Sequence, residues 1–135
     1  MAHVILTVGD FARARAFYGE LLPFLGLTPV IDSPEYYYCV GGRTALGIRP
    51  GAGEDFEQAR TGLHHLCFRA RSREDVDALH AFLVARAATI VHVPQAEPWA
   101  PGYYSVLFED PGGIRLEVNF VPGRGLLEPG ARRGA

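Results

Sequence analysis

The chain has 135 residues, a hydrophobic fraction of 48%, a charged fraction of 21% and a formal net charge of -2. This is the composition of one ordinary globular domain, long enough to bury its own core. Without a Lys/Arg cluster ahead of the tail, the charge argues against a nucleic-acid or anionic-membrane surface, and no apolar run approaches the roughly 20 residues that span a bilayer.

"MAHVILTV" at the N-terminus is too short for a signal-peptide core and has no basic flank, so a cytoplasmic protein is expected. Residues 3–8 read as a β-branched strand. Asp10 can cap a helix whose stripe runs Phe11, Ala14, Tyr18, Leu21, Leu22 and Leu25, and Gly26 stops it. Short strands are expected near 27–31, 35–41 and 44–49, with "DSPE" and "GGR" as turns. Residues 50–61 are polar and Gly-containing, and read as a linker or mobile loop. The pattern then restarts. Residues 65–70 form a strand, Ser72 and Asp75 resemble a capping box, and Val76, Leu79 and Leu83 make a helical stripe. Strands follow at 89–93, 103–108 and 114–120, with "EDPGG" turning between the last two. Cys39 and Cys67 sit in apolar strand-like runs with no CxxC, and read as two reduced core thiols. Residues 122–135 read as a surface-lying or disordered tail.

The order is therefore β-α-β-β-β twice, a repeat of about 60 residues and too long for a solenoid unit. Strand side chains alternate, so each strand sorts into two faces. Val4, Leu6 and Val8 share one face of the first strand; His3, Ile5 and Thr7 share the other. In the second module Leu66, Phe68 and Ala70 stand opposite His65, Cys67 and Arg69. In the last strand Ile114, Leu116, Val118 and Phe120 stand opposite Arg115, Glu117 and Asn119. One face of each strand suits packing under a helix. The other carries polar groups, as a cavity lining does. On it lie His3, His65 and Glu117, two imidazoles and a carboxylate. Such a set can hold Fe, Mn, Ni or Zn with open positions for water and substrate. His64 has the wrong parity and is expected to be an outer neighbour or purely structural.

Paired βαβββ modules, each opened by a histidine, resemble the vicinal oxygen chelate superfamily, which includes glyoxalase I, fosfomycin-resistance proteins, extradiol dioxygenases and bleomycin-resistance proteins. The resemblance covers about residues 2–121 and rests on "HVILTVGDFARARAFYGELL", "GLHHLCFRA" and "YYSVLFEDPGGIRLEV". It implies an α+β fold, one domain over 1–121 with modules at about 2–50 and 63–121, and an open, cupped β-barrel. It implies a divalent metal on His3, His65 and Glu117, with Glu117 the catalytic candidate as well. A homodimer and a small-molecule substrate are also implied, with a site that subunits can share. Substrate-binding candidates are Arg69, Arg115 and Asn119 by parity, and Trp99, Tyr103 and Tyr104 in the aromatic stretch "PWAPGYY".

The match is incomplete in ways that bear on the reaction. Glyoxalase I adds a fourth ligand where this chain has Leu46 or Gly47. Ring-cleaving relatives place a tyrosine where it has Leu107, and no cavity histidine beyond the ligands has a defensible register; His92 is the one loose candidate. Lewis-acid chemistry of the lyase, isomerase or thiol-addition kind is therefore expected on a substrate with adjacent oxygens. An extradiol-type dioxygenase and a metal-free drug-binding protein of the bleomycin-resistance kind are the alternatives.

Overall fold

Each helix begins where a side-chain oxygen meets an otherwise unpaired first-turn amide. Asp10 accepts from the Arg13 amide at 3.1 Å, and Ser72 Oγ accepts from the Asp75 amide at 3.1 Å. The capping box at Ser72 is displaced by one residue: Asp75 Oδ2 accepts from the Arg71 amide at 3.2 Å rather than from that of Ser72. The first helix ends at Gly26, whose φ of +90° favours a residue without a Cβ.

The structure, a computed structural model, describes residues 1–127. In chain order the first module holds β1 (His3–Val8), α1 (Phe11–Phe24), β2 (Thr28–Ser33), β3 (Tyr36–Gly41) and β4 (Thr44–Pro50). The second holds β5 (Leu66–Arg69), α2 (Arg73–Ala85), β6 (Thr89–Ala96), β7 (Tyr104–Glu109) and β8 (Arg115–Phe120), followed by a 3-10 turn at Gly125–Leu127. The fold is α+β, with two four-stranded mixed sheets of matching topology. Their strand orders are β1-β4-β3-β2 and β5-β8-β7-β6. In each, the first strand runs parallel to the last and the remaining pairs are antiparallel.

By contacts the chain divides into Met1–Glu57 with Pro111–Gly113, and Gln58–Asp110 with the chain from Ile114. The small excursion at 111–113 joins the first unit through the Phe56 amide, which donates to the Gly112 carbonyl at 2.8 Å. In the first unit Ala14, Tyr18, Leu21 and Leu22 of α1 are buried, as are Leu6, Val8, Tyr37, Cys39, Leu46 and Ile48 of its sheet. Arg15 forks onto Asp32 at 2.9 and 2.6 Å and lies 3.9 Å above the Tyr37 ring, tying α1 to the exposed edge strand β2. In the second unit Val76, Leu79 and Leu83 of α2 are buried, together with Val106, Phe108, Leu116 and Val118 of the sheet beneath. These are the apolar parities of the sequence, and their burial turns the polar face of each sheet away from its helix.

The sequence-based expectations differ from the structure chiefly at β6 and at Cys67. β6 runs on to Ala96 instead of ending at 93, with pairing irregularities on both sides of His92. Pro94 has no amide hydrogen to give the ladder, and a bulge absorbs the mismatch. Cys39 is a core thiol, but Cys67 is not: its polar-face parity leaves it exposed. The tail reading holds a 3-10 turn at Gly125–Leu127, and residues 128–135 of it lie outside the described residues.

Candidate metal centre

Register decides which side chains meet on the second sheet. β5 pairs with β8 so that Cys67 stands against Glu117 and Arg69 against Asn119. β7 pairs with β8 so that Leu107 stands against Glu117 and Ser105 against Asn119. All six therefore share one face. His65 lies one step before β5 on the same parity, and Tyr103 lies one step before β7, two residues from Ser105.

The centre of that face is Glu117. Its residue is only 8% exposed, and a carboxylate so sheltered needs hydrogen-bond donors. It has two. His65 Nε2 lies 2.9 Å from Oε2, and the Tyr103 hydroxyl donates to Oε1 at 2.5 Å. Burial first, and then the Glu117 bond, push the Tyr103 phenol above its ordinary value, so it remains a donor. On the far side of the imidazole, His65 Nδ1 lies 2.7 Å from Nδ1 of His64, with the rings edge to face. His64, Nδ1 to Nδ1 with His65, is thus an outer neighbour of the pair. Gln58 Nε2 holds the His64 carbonyl at 2.6 Å. Beside Glu117, Cys67 is open to solvent on the sheet face, but the protein atoms crowded around its sulfur, and then the carboxylate charge, push the thiol up to about 12. It is a neutral wall at ordinary pH.

His65 and Glu117 fit a metal. Two ligands about 2.1 Å from a metal stand about 3 Å apart at right angles and about 3.4 Å apart in a tetrahedron. The 2.9 Å separation of Nε2 and Oε2 is a hydrogen-bond distance close to the shorter of these. His3 lies on β1 in the other unit, exposed, with its ring 6.3 Å from that of Tyr38 and edge-on to it. Among the described residues, no group of three or more His, Cys, Asp or Glu side chains is placed to hold an ion.

The substrate-binding candidates separate. Asn119 shares the Glu117 face, two residues along β8. Arg69 is on that face and exposed. Arg115 is there too, with its Nε 3.4 Å from Glu109 Oε2. Trp99 is 62% exposed in the loop before β7. Tyr104 is on the opposite face: its hydroxyl donates to Asp77 at 2.5 Å and its ring lies beneath the Arg73 guanidinium at 4.1 Å. It packs on α2, where the alternation after Tyr103 puts it.

Two further residues join this face. Cys67 lies beside Glu117 although an apolar run made it look like core. His92 pairs with Leu107 and so joins the row Cys67–Glu117–Leu107. Its Nδ1 meets the Val93 carbonyl at 2.9 Å and its Nε2 lies 3.6 Å from Glu97 Oε1. The bulge hid this parity from a simple alternation count. In the first module, Gly47 pairs with Ile5 and shares the His3 face, whereas Leu46 pairs with Val4 on the other.

Comparison with known proteins follows the same lines. The profile of the Glyoxalase/Bleomycin resistance protein/Dioxygenase superfamily matches residues 1–118. A candidate glyoxalase from Bacillus halodurans is similar in structure, with 31% identity, a TM-score of 0.79, and coverage of 90% of this chain and 95% of that one. Lactoylglutathione lyase from Agrobacterium tumefaciens is similar at 26% identity and a TM-score of 0.66, over 89% of this chain and 92% of that one. In sequence, 2,2',3-trihydroxybiphenyl dioxygenase of Sphingomonas paucimobilis is 27% identical over 131 residues, covering 89% of this chain but only 40% of that protein.

Proposed function

We propose a function for this chain from one premise: it belongs to the Glyoxalase/Bleomycin resistance protein/Dioxygenase superfamily. In this reading it is a metal-dependent enzyme acting on a small molecule with adjacent oxygens, by lyase, isomerase or thiol-addition chemistry. The observation that carries it is the His65 Nε2–Glu117 Oε2 pair at 2.9 Å, close to the spacing of ligands at right angles on a divalent ion. His65 and Glu117 hold the ion in this scheme. His3, on the first module, is the third ligand of this scheme, and a second copy of the chain supplies it in the shared-site form of the reading. When bound, Fe, Mn, Ni or Zn supplies a Lewis acid that stabilises negative charge developing on a substrate oxygen.

The chain's own groups do the rest. Tyr103 holds Glu117 Oε1, which leaves Oε2 as the oxygen turned to His65. Asn119 and Arg69 offer donors on the same face for a substrate oxygen. Glu117 is the group able to accept a proton from a carbon or oxygen beside the chelated atoms.

One observation favours a second reading, ring cleavage of a catechol. His92 lies on the Glu117 face, with Nδ1 fixed by a carbonyl, and could serve as a base at Nε2. The similarity to the trihydroxybiphenyl dioxygenase points the same way.

The test begins with elemental analysis after reconstitution with Fe, Mn, Ni and Zn. One ion per chain is expected, abolished in His65→Ala and Glu117→Ala; tight binding that survives His65→Ala would falsify the assignment. The loaded protein is then given methylglyoxal–thiol adducts and epoxides, and, as the iron form with O2, a catechol panel. Turnover confined to catechols and lost in His92→Gln would select ring cleavage.

A further inference from the structure

Two hydrogen bonds meet on the His65 ring, one at each nitrogen. A neutral imidazole has one N–H and one lone pair, so its two bonds run in opposite senses. In the ion-free chain Nε2 faces a carboxylate oxygen that only accepts. With both rings neutral, this places the His65 proton on Nε2 and makes Nδ1 the acceptor from His64 Nδ1–H at 2.7 Å. A cation on His65 requires the reverse: a lone pair at Nε2 and the proton on Nδ1, which His64 Nδ1 must then accept.

We propose that His64 is the positioning residue for His65, a partner that reverses the Nδ1–Nδ1 hydrogen bond so that His65 can present Nε2 to a divalent cation. The inference rests on His65 being a ligand. The proton count balances. The His65 proton moves from Nε2 to Nδ1 and the His64 proton from Nδ1 to Nε2, so neither ring changes charge. His64 is exposed, and water carries both transfers. Gln58 Nε2 donates to the His64 carbonyl at 2.6 Å and anchors the backbone from which the ring projects. At the Nε2 end, Glu117 and Tyr103 are engaged with each other.

The experiment uses the full chain, zinc(II) alone as probe, calorimetric titration, and nitrogen NMR of the imidazoles with and without zinc. His64→Ala is expected to weaken zinc binding by about tenfold to a hundredfold, the usual effect of removing a partner of a ligating histidine. His64→Asn places an amide near the same point, able to turn either its oxygen or its NH2 toward His65, and is expected to restore affinity to within a few-fold. The NMR signature is a His65 that carries its proton on Nε2 without zinc and on Nδ1 with it. The Nδ1–H should be protected from exchange in the unaltered chain and in His64→Asn. Melting curves separate lost affinity from lost fold, and the signature in the unaltered chain decides the matter even if a variant fails to fold. Equal zinc affinity in all three chains, or a freely exchanging Nδ1–H in the loaded unaltered chain, would overturn this inference and leave the metal site standing. No zinc binding by the unaltered chain would overturn both.

Discussion

A carboxylate on a sheet face keeps its charge only if donors replace the water it has lost, and Glu117 has replaced that water with a phenol and an imidazole. Removing one of them separates packing from chemistry. Tyr103→Phe keeps the ring and leaves Glu117 Oε1 without its donor. Stability should fall by about 1 to 3 kcal/mol, the cost of orphaning a sheltered acceptor, as read by urea unfolding. Zinc affinity should fall as well, because the carboxylate is free to rotate away from His65. Unchanged stability together with unchanged affinity would mean that Tyr103 only covers the site. Tyr104→Phe is the natural control. Its hydroxyl bonds Asp77 on the helix side, so it should leave zinc binding unaffected.

At the scale of strands, a shift of one residue exchanges the faces. The pairing of Cys67 with Glu117 is what puts His65, and not His64, beside that carboxylate. This much was legible in the sequence, because β5 and β8 are regular and their apolar residues alternate without a break. The helix starts at Asp10 and Ser72 were equally legible, each being a local matter of one side chain and one amide. His92 was not, because a bulge changes the count between Ile90 and the residues beyond it. Cys67 and Tyr104 were misjudged for a related reason: residue type pulled against parity, and parity prevailed. Gly47 shows what no local pattern could reveal. It needs no unusual backbone angle; it needs space. A Cβ there would stand 2.8 Å from Tyr38 Cδ2, 3.0 Å from Ile5 Cδ1 and 3.3 Å from Tyr36 Cε1. Gly47→Ala should therefore displace the Tyr36 and Tyr38 rings, the second of which lies edge-on to His3, and cost about 1 to 3 kcal/mol, as overpacking does, in a denaturant titration. A neutral result would show that the rings move aside freely.

For the molecule as a whole, the donors lie on different modules: His3 in one, His65 and Glu117 in the other. If each site takes His3 from a second copy, chains carrying His3→Ala and chains carrying His65→Ala are each unable to bind zinc. Mixed and allowed to exchange subunits, they should regain one site in each mixed dimer, because that pairing contains one intact His3 opposite one intact His65 and Glu117. Elemental analysis of the mixture checks this. No recovery after proven exchange would return the whole set to a single chain.

The two parallel strand pairs carry a consequence for time rather than affinity. Residue 3 meets residue 45 and residue 66 meets residue 116, whereas the antiparallel partners between them are joined by short turns. Such distant pairings close late, after nearby hairpins have formed, because loop entropy must be overcome before any contact rewards it. His3 is on one of these late strands and His65 immediately precedes the other, so the donors are expected to come together on the native side of the folding barrier. A cation that needs them should act on the escape from the native state and not on its formation. In stopped-flow experiments, zinc is expected to slow unfolding in proportion to its occupancy while leaving the refolding rate where it was. A refolding rate that rises with zinc would mean that these strands close early and that the ion helps to bring them together.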